Sequence, residues 1–297
     1  MRAEPDAIEM RVHSRFDPTI LRTVHPSVAS GCSGQALQKM KAKRTVTAPE
    51  RNWDTYAKFY PARVPYLRSF FSQLGDVLGL TKESFVLDLA CGSGELAVGL
   101  APYCGSVLGV DRSGEMLALR RALPGNVRLQ QAELHSDALQ LSRPANLVTI
   151  GRALHYLNSE SLLTLLESAT HPSASILICN SQIHRTTPWA GRYHALIAKF
   201  VEPIKHPDFY GLQFFSNTGW LPVRRPQAVG TVRCKVDQLL YNALSYPRYA
   251  DVLLKHKREF GEQLRELFEP FQLPGGRVSA TILSDGVVYR RAQKKRT

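Results

Sequence analysis

Between residues 85 and 180, short apolar runs alternate with amphipathic stretches, and this rhythm limits the chain to very few folds. The runs at 85–90, 106–110, 127–131, 146–150 and 174–180 have the length and content of buried strands. Between them, residues 94–103, 114–122 and 159–169 repeat apolar side chains at helical spacing. Parallel strands need long crossovers, and helical crossovers cover both faces of the sheet. The sequence therefore predicts an α/β fold with a Rossmann-like, doubly wound, mostly parallel sheet. Ligands of such sheets lie at the carboxyl ends of the strands.

The flanks follow different rules. Residues 1–47 lack a sustained apolar period and scatter Ser, Gly, Pro and basic residues, so they are expected to form a loosely attached or disordered extension. Residues 48–297 form the expected folded domain. Helical cap segments are predicted near 48–78, 184–205 and 237–269, the first as two helices separated by Pro61–Pro65 and the last as two further helices. At the end, VSATI and GVVYRR flank Ser284-Asp285-Gly286 and read as a hairpin at the sheet edge, completing a seven-stranded sheet with an antiparallel C-terminal strand.

The first strand runs into Asp88-Leu-Ala-Cys-Gly-Ser-Gly94 and then a helix. A dinucleotide loop wants Gly-x-Gly-x-x-Gly here. Ala90 and Glu95 stand at its outer glycine positions, and only Gly92 fits. Asp88 and Glu95 would also oppose a pyrophosphate, each like-charge pair costing roughly 4 kcal/mol at 4 Å and an effective dielectric of 20. No Lys-Ser or Lys-Thr follows the glycines, which excludes a P-loop.

The loop suits a nucleoside without phosphates, and S-adenosylmethionine has the matching groups. Asp88 can hold its ammonium. Ala90, Gly92 and Gly94 line the turn, the glycines letting backbone approach the ligand, and the helix start after Gly94 offers N–H groups to the carboxylate. Asp111 ends the second strand, where an acid accepts from ribose hydroxyls. Ser113 can cap the next helix, and Met116 can pack on adenine. After the third strand, Glu133 can accept from the adenine amino group while the Leu134 N–H serves a ring nitrogen. The plain alternatives are a loop-capping Asp88, turn glycines and an ordinary core methionine.

These segments, with Val110-Asp111 and Ala132-Glu133, resemble in order the motifs of class I S-adenosylmethionine-dependent methyltransferases. The resemblance is closest to the small-molecule type 11 group and covers residues 84–180 well. It departs at Ala90, where Gly is usual, at Ala145-Asn146, where Phe-Asp is usual, and at Glu133, where Asp is common. It implies methyl transfer to an O, N or C atom of a small acceptor.

The acceptor side is less legible. Gly151-Arg152-Ala153-Leu154-His155-Tyr156 follows the fourth strand, where the family lines its acceptor site. His155 can serve as a general base or as a pocket wall. Arg152 can pair with a substrate carboxylate or with the sheet-edge acids, and Tyr156 and Tyr60 are candidate lining residues. Trp53, Tyr56, Tyr60 and Arg63 are expected in a lid, and Trp189, Tyr193 and His194 in a second cover, with amphipathic packing as the alternative for each.

Net charge +13 raises nucleic acid as a partner, but the basic residues cluster only near the chain ends and no RNA-binding module is present, so an RNA methyltransferase is the second reading and a non-catalytic cofactor binder the third. Five cysteines without a Cys-x-x-Cys pair argue against a disulfide framework or zinc site and for a cytoplasmic protein. No metal and no membrane partner are expected, since metal-ligand spacing and long apolar runs are both missing.

Overall fold

A computed structural model describes residues 11–12, 53–120, 122–134, 139–157, 159–202 and 210–292. The expected extension at 1–47 lies outside the described residues except for Arg11–Val12.

Nine strands build one sheet: the short strand Arg11–Val12, then β1 Phe85–Leu89, β2 Ser106–Asp111, β3 Val127–Gln131, β4 Ala145–Gly151, β5 Thr170–Ile183, β6 Trp220–Arg224, β7 Gln227–Lys235 and β8 Arg277–Arg291. β3, β2, β1, β4 and β5 run parallel in that spatial order. The order reverses between β1 and β4, and the switch point lies there. β8 joins β5 antiparallel, from Ser175 opposite Arg290 to Ile183 opposite Ile282. β6 and β7 pair with the two halves of β8 on its other side. They are one lane broken at Pro226, which lacks an N–H for the ladder and whose carbonyl accepts from Gly286 N–H at 3.0 Å. Strands β1 to β8 thus occupy seven lanes, the number expected. The short strand Arg11–Val12 pairs outside β7.

The C-terminal hairpin is not present. Residues 277–291 form a single strand inside the sheet, and Ser284-Asp285-Gly286 passes straight through it. A Cβ on Gly286 would lie 2.8 Å from the Ile178 carbonyl oxygen, so this glycine serves close strand approach and not a turn. Its partner lane at 220–235 was hidden in the sequence by Pro222, Pro226 and Gly230, which interrupt any alternating pattern.

Helices α1 Arg68–Leu78, α2 Glu95–Leu100, α3 Gly114–Ala118, α4 Ser159–Ala169 and α5 Ala190–Phe200 lie within the predicted segments, with shorter ends for α2, α3 and α5. The 237–269 region holds three helices instead of two: α6 Val236–Leu244, α7 Pro247–Lys255 and α8 Lys257–Phe268. Pro247 opens α7 at a first-turn position that needs no N–H donor. Residues Trp53–Ala62 form a 3-10 strap, not an α-helix.

Successive side chains of β1 point to opposite faces. Val86 joins a core with Phe70, Leu96, Tyr193, Leu240 and Phe260, so α1, α2, α5, α6 and α8 share one face. Leu87 and Leu89 join Val110, Leu162, Leu165 and Phe215 on the other. Asp88 shares the parity of Val86, and this places its carboxylate on the first face at the end of the strand. No helix among the described residues is long and apolar enough to cross a membrane.

Candidate functional site

The loop after β1 is built on left-handed backbone. Ala90, Gly92 and Gly94 have φ of 52°, 56° and 74°. Ala90 carries a side chain in a region that favours glycine, which fits the departure seen in the sequence. At Gly92 a Cβ would stand 3.0 Å from Met116 Cε and 3.3 Å from the Tyr60 hydroxyl, so the backbone there is closely covered.

Asp111 locks this loop to the next one. Its Oδ2 accepts from Gly92 N–H at 2.7 Å, and its Oδ1 accepts from Ser113 N–H at 2.9 Å. Burial pushes its carboxyl pKa up, and these backbone donors pull it back. Ser113 caps α3 as expected, its Oγ accepting from Met116 N–H at 3.1 Å. Its hydroxyl donates to Asp54 Oδ1 on the strap at 2.5 Å. Met116 is buried.

Asp88 is fully buried. Thr149 on β4 donates to its Oδ1 at 2.6 Å, and its Oδ2 has no hydrogen-bond partner. Burial drives the carboxyl pKa up to about 7, against the hydrogen bond from Thr149. An orphaned buried acceptor costs stability, so its retention points to a ligand. It borders a narrow cleft lined also by Tyr60, Tyr66, Ala90, Cys91, Glu95, Leu96 and Gly151.

Glu95 and Tyr66 were not foreseen as site residues. Glu95 is the first residue of α2, and its Oε1 accepts from Tyr66 N–H at 2.6 Å. Its Oε2 lies 3.6 Å from Arg152 Nη1. Arg152 has φ of 59°, donates from Nη2 to the Val64 carbonyl at 2.5 Å and stacks 4.4 Å from the Tyr66 ring centre. The structure places Arg152 beside one acid, Glu95, which stands at the start of α2 and not at the sheet edge. The signal missed was that Glu95, taken only as a departure from a glycine pattern, has a basic partner after β4.

Beyond β4, Leu154–Tyr156 forms one 3-10 turn. His155 packs against Tyr156 with ring centres 3.9 Å apart, and Tyr156 meets Trp53 of the strap edge-on at 5.0 Å. Burial, with the cations Arg248 and Arg63 nearby, lowers the His155 pKa to about 4. A neutral imidazole can accept a proton, but with weak basicity. The unfolded chain binds a proton here below about pH 6.5, so stability falls as pH drops from there toward 4. We expect the His155 proton resonances to show no titration between pH 6 and 8; a midpoint near 6.5 would contradict this environment.

The strap is fastened at both ends. Arg63 donates to Ser245 Oγ and to its carbonyl, each at 2.8 Å, and Tyr56 donates to Asp251 Oδ1. Tyr60 sits between, its hydroxyl beside Gly92. Glu133 is exposed, and Leu134 packs at the margin of the second core. Trp189 and Tyr193 are buried in the core, with Tyr193 donating to the Leu239 carbonyl at 2.8 Å. No cluster of three potential metal ligands occurs among the described residues.

Residues 86–171 match the family model of the methyltransferase domain. A demethylmenaquinone methyltransferase of Staphylococcus aureus is 31% identical over 138 residues, covering 43% of this chain and 55% of that protein. An uncharacterised methyltransferase of Schizosaccharomyces pombe is 29% identical over 110 residues, covering 37% of this chain and 42% of its own. The chain spans about half the length of these curated relatives. A solved structure described as a proposed type II methyltransferase of Anaeromyxobacter dehalogenans aligns with a TM-score of 0.52 at 16% identity, over 77% of this chain and 97% of that one. That likeness establishes the shared fold.

Proposed function

We propose that this chain, which carries a methyltransferase domain at residues 86–171, is an S-adenosylmethionine-dependent enzyme that methylates an O, N or C atom of a small molecule. The carrying observation is the pair of acids at the ends of β1 and β2: a buried Asp88 with an unpaired oxygen, and Asp111 bonded to Gly92 and Ser113. These groups suit the amino-acid end and the ribose of the donor. Met116, buried beside Gly92, is assigned to pack on adenine, and Glu133 and the Leu134 N–H to its edge. When bound, S-adenosylmethionine supplies a methyl group already activated by a sulfonium.

The protein's task is alignment and exclusion of water. Tyr60 and the strap cover the loop. His155 and Tyr156 line the side from which an acceptor approaches, and neutral His155 can take a proton from it. The covered loop and the Staphylococcus relative named for a quinone acceptor support a small molecule. The odd cysteine count supports a reducing, cytoplasmic setting.

The test is transfer of labelled methyl groups from the donor to a panel of small acceptors and, in parallel, to total RNA. The reading expects label in a small product with equimolar S-adenosylhomocysteine; label only in RNA would replace it with the RNA reading. Gly92→Ala also tests the placement. Its Cβ would meet Met116 and Tyr60 at a φ that disfavours side chains. Donor affinity should fall on the order of 10-fold or more, as expected for about 1.4 kcal/mol or more of strain and lost approach. Titration calorimetry with unchanged affinity would move the donor away from this turn.

A further inference from the structure

Where the strap meets the start of α7, two arginines and several aromatic rings come together near His155. Arg63 follows the strap, and its guanidinium carbon lies 3.9 Å from the Tyr246 ring centre and 5.3 Å from that of Tyr60. Tyr60 in turn stands over Gly92, so Arg63 is one ring away from the loop after β1. Arg248, in the first turn of α7, lies 4.9 Å from the Tyr249 ring centre, and Tyr249 packs against Tyr246 at 5.6 Å. Both guanidinium groups reach His155 and lower its pKa. Tyr156 packs on the same imidazole and meets Trp53 of the strap. Trp53, Tyr156, Tyr246 and Tyr249 are all partly open to solvent.

The two cations are not balanced where they meet. Arg63 gives its Nε and Nη2 to Ser245, a neutral partner. Arg248 makes no hydrogen bond or ion pair among the described residues. The carboxylates on the same elements face other groups: Asp251 accepts from Tyr56, and Asp54 from Ser113. Cations gathered without a counter-ion favour the arrival of an anion between them. A guanidinium fork suits a carboxylate in particular, because both are planar and join through two parallel N–H donors. Partly exposed rings beside the cations suit an aromatic frame.

We infer that the methyl acceptor is an aromatic carboxylic acid, its carboxylate received by Arg248 and Arg63 and its ring by Trp53, Tyr156, Tyr246 and Tyr249. This inference rests on the donor reading above and adds to it the class of acceptor. The two arginines divide the work. Arg63 also fastens the strap to Ser245, so it is committed to the fold. Arg248 has no such duty and sets the preference for an acid. His155, kept neutral between them, remains able to take a proton from the acceptor.

The test pairs aromatic acids with their neutral amides on the full chain saturated with S-adenosylhomocysteine: 4-hydroxycinnamate with its amide, and indole-3-acetate with its amide. By titration calorimetry the wild-type protein should bind at least one acid about 10-fold or more tightly than its amide, as for one charged contact at a partly exposed site. Arg248→Gln should bring that acid to within about twofold of its amide and leave the affinity for S-adenosylhomocysteine within about twofold. Arg248→Lys should keep part of the preference, since the charge remains and the fork is lost. Equal wild-type affinity for acid and amide in both pairs, or no binding of any of the four, would overturn the acceptor class, and this comparison needs no variant to fold. An acid preference that survives Arg248→Gln would overturn the part given to Arg248. Failure of the wild-type protein to bind S-adenosylhomocysteine, measured before any acceptor is added, would instead refute the donor reading itself.

Discussion

Asp111→Ala reduces the affinity for S-adenosylmethionine and S-adenosylhomocysteine by on the order of 100-fold or more, the sum of two charged hydrogen bonds at roughly 1.5–3 kcal/mol each. In the structure those lone pairs serve Gly92 N–H and Ser113 N–H. The carboxylate therefore shapes two loops while keeping capacity for ribose hydroxyls, since ionised it offers about four acceptor positions. Asp111→Asn should fall between, because one amide oxygen still accepts and the amide nitrogen cannot accept from a backbone N–H. Thermal melting separates the two roles. A variant that melts near the wild type yet fails to bind has lost the ligand contact, whereas unchanged affinity would remove Asp111 from the ribose site.

Asp88→Asn moves stability and binding in opposite directions. A carboxyl whose pKa rises from 3.8 to about 7 on folding lowers stability as pH climbs through that interval, by roughly 4 kcal/mol at most above pH 7. The sign follows from proton counts: between these values the folded state holds the proton that the unfolded state has released. Asparagine keeps an acceptor for Thr149 and removes the charge. Its amide nitrogen takes the unpaired position at a cost of roughly 1–3 kcal/mol. The variant should gain on the wild type as pH rises from 4 to 8, and be the more stable of the two at pH 8. Its affinity for S-adenosylhomocysteine should drop about 30-fold through the lost ammonium contact. Chemical denaturation at several pH values checks the first effect; a stability difference flat across pH would mean that Asp88 is not the buried, proton-linked group described. Such a trade of stability for function is common where a site must hold an unpaired charge.

The parts of this molecule that a reader of the sequence could find are those written locally. Strand β1, the left-handed turn at Gly92 and Gly94, and Asp111 at the end of β2 are each set by backbone chemistry within a few residues. So the parallel half of the sheet and the left-handed loop after β1 were legible. Ser113 as the α3 cap was legible for the same reason. Contacts between distant segments were not. Nothing near Asp88 marks Thr149 as its donor, and nothing near Glu95 marks Arg152 as its counter-ion. The 3-10 strap read as an ordinary amphipathic helix because its aromatic spacing suits either form. Gly286 read as a turn residue because glycine serves turns and close strand approach equally, and only the neighbouring Ile178 carbonyl decides between them. The acceptor side stayed thinnest in the sequence because His155 and Tyr156 take their setting from Trp53, Arg63 and Arg248, all remote in the chain.

Titration calorimetry of the full chain with S-adenosylhomocysteine at pH 7.5 bears most directly on the identity of the ligand. One molecule should bind per chain, with an affinity that Asp111→Ala and Asp88→Asn each reduce. Adenosine should compete more weakly, since it lacks the amino-acid end proposed to meet Asp88. Failure of the intact, folded protein to bind S-adenosylhomocysteine or S-adenosylmethionine at millimolar concentration would contradict the assignment of this loop to a methyl donor.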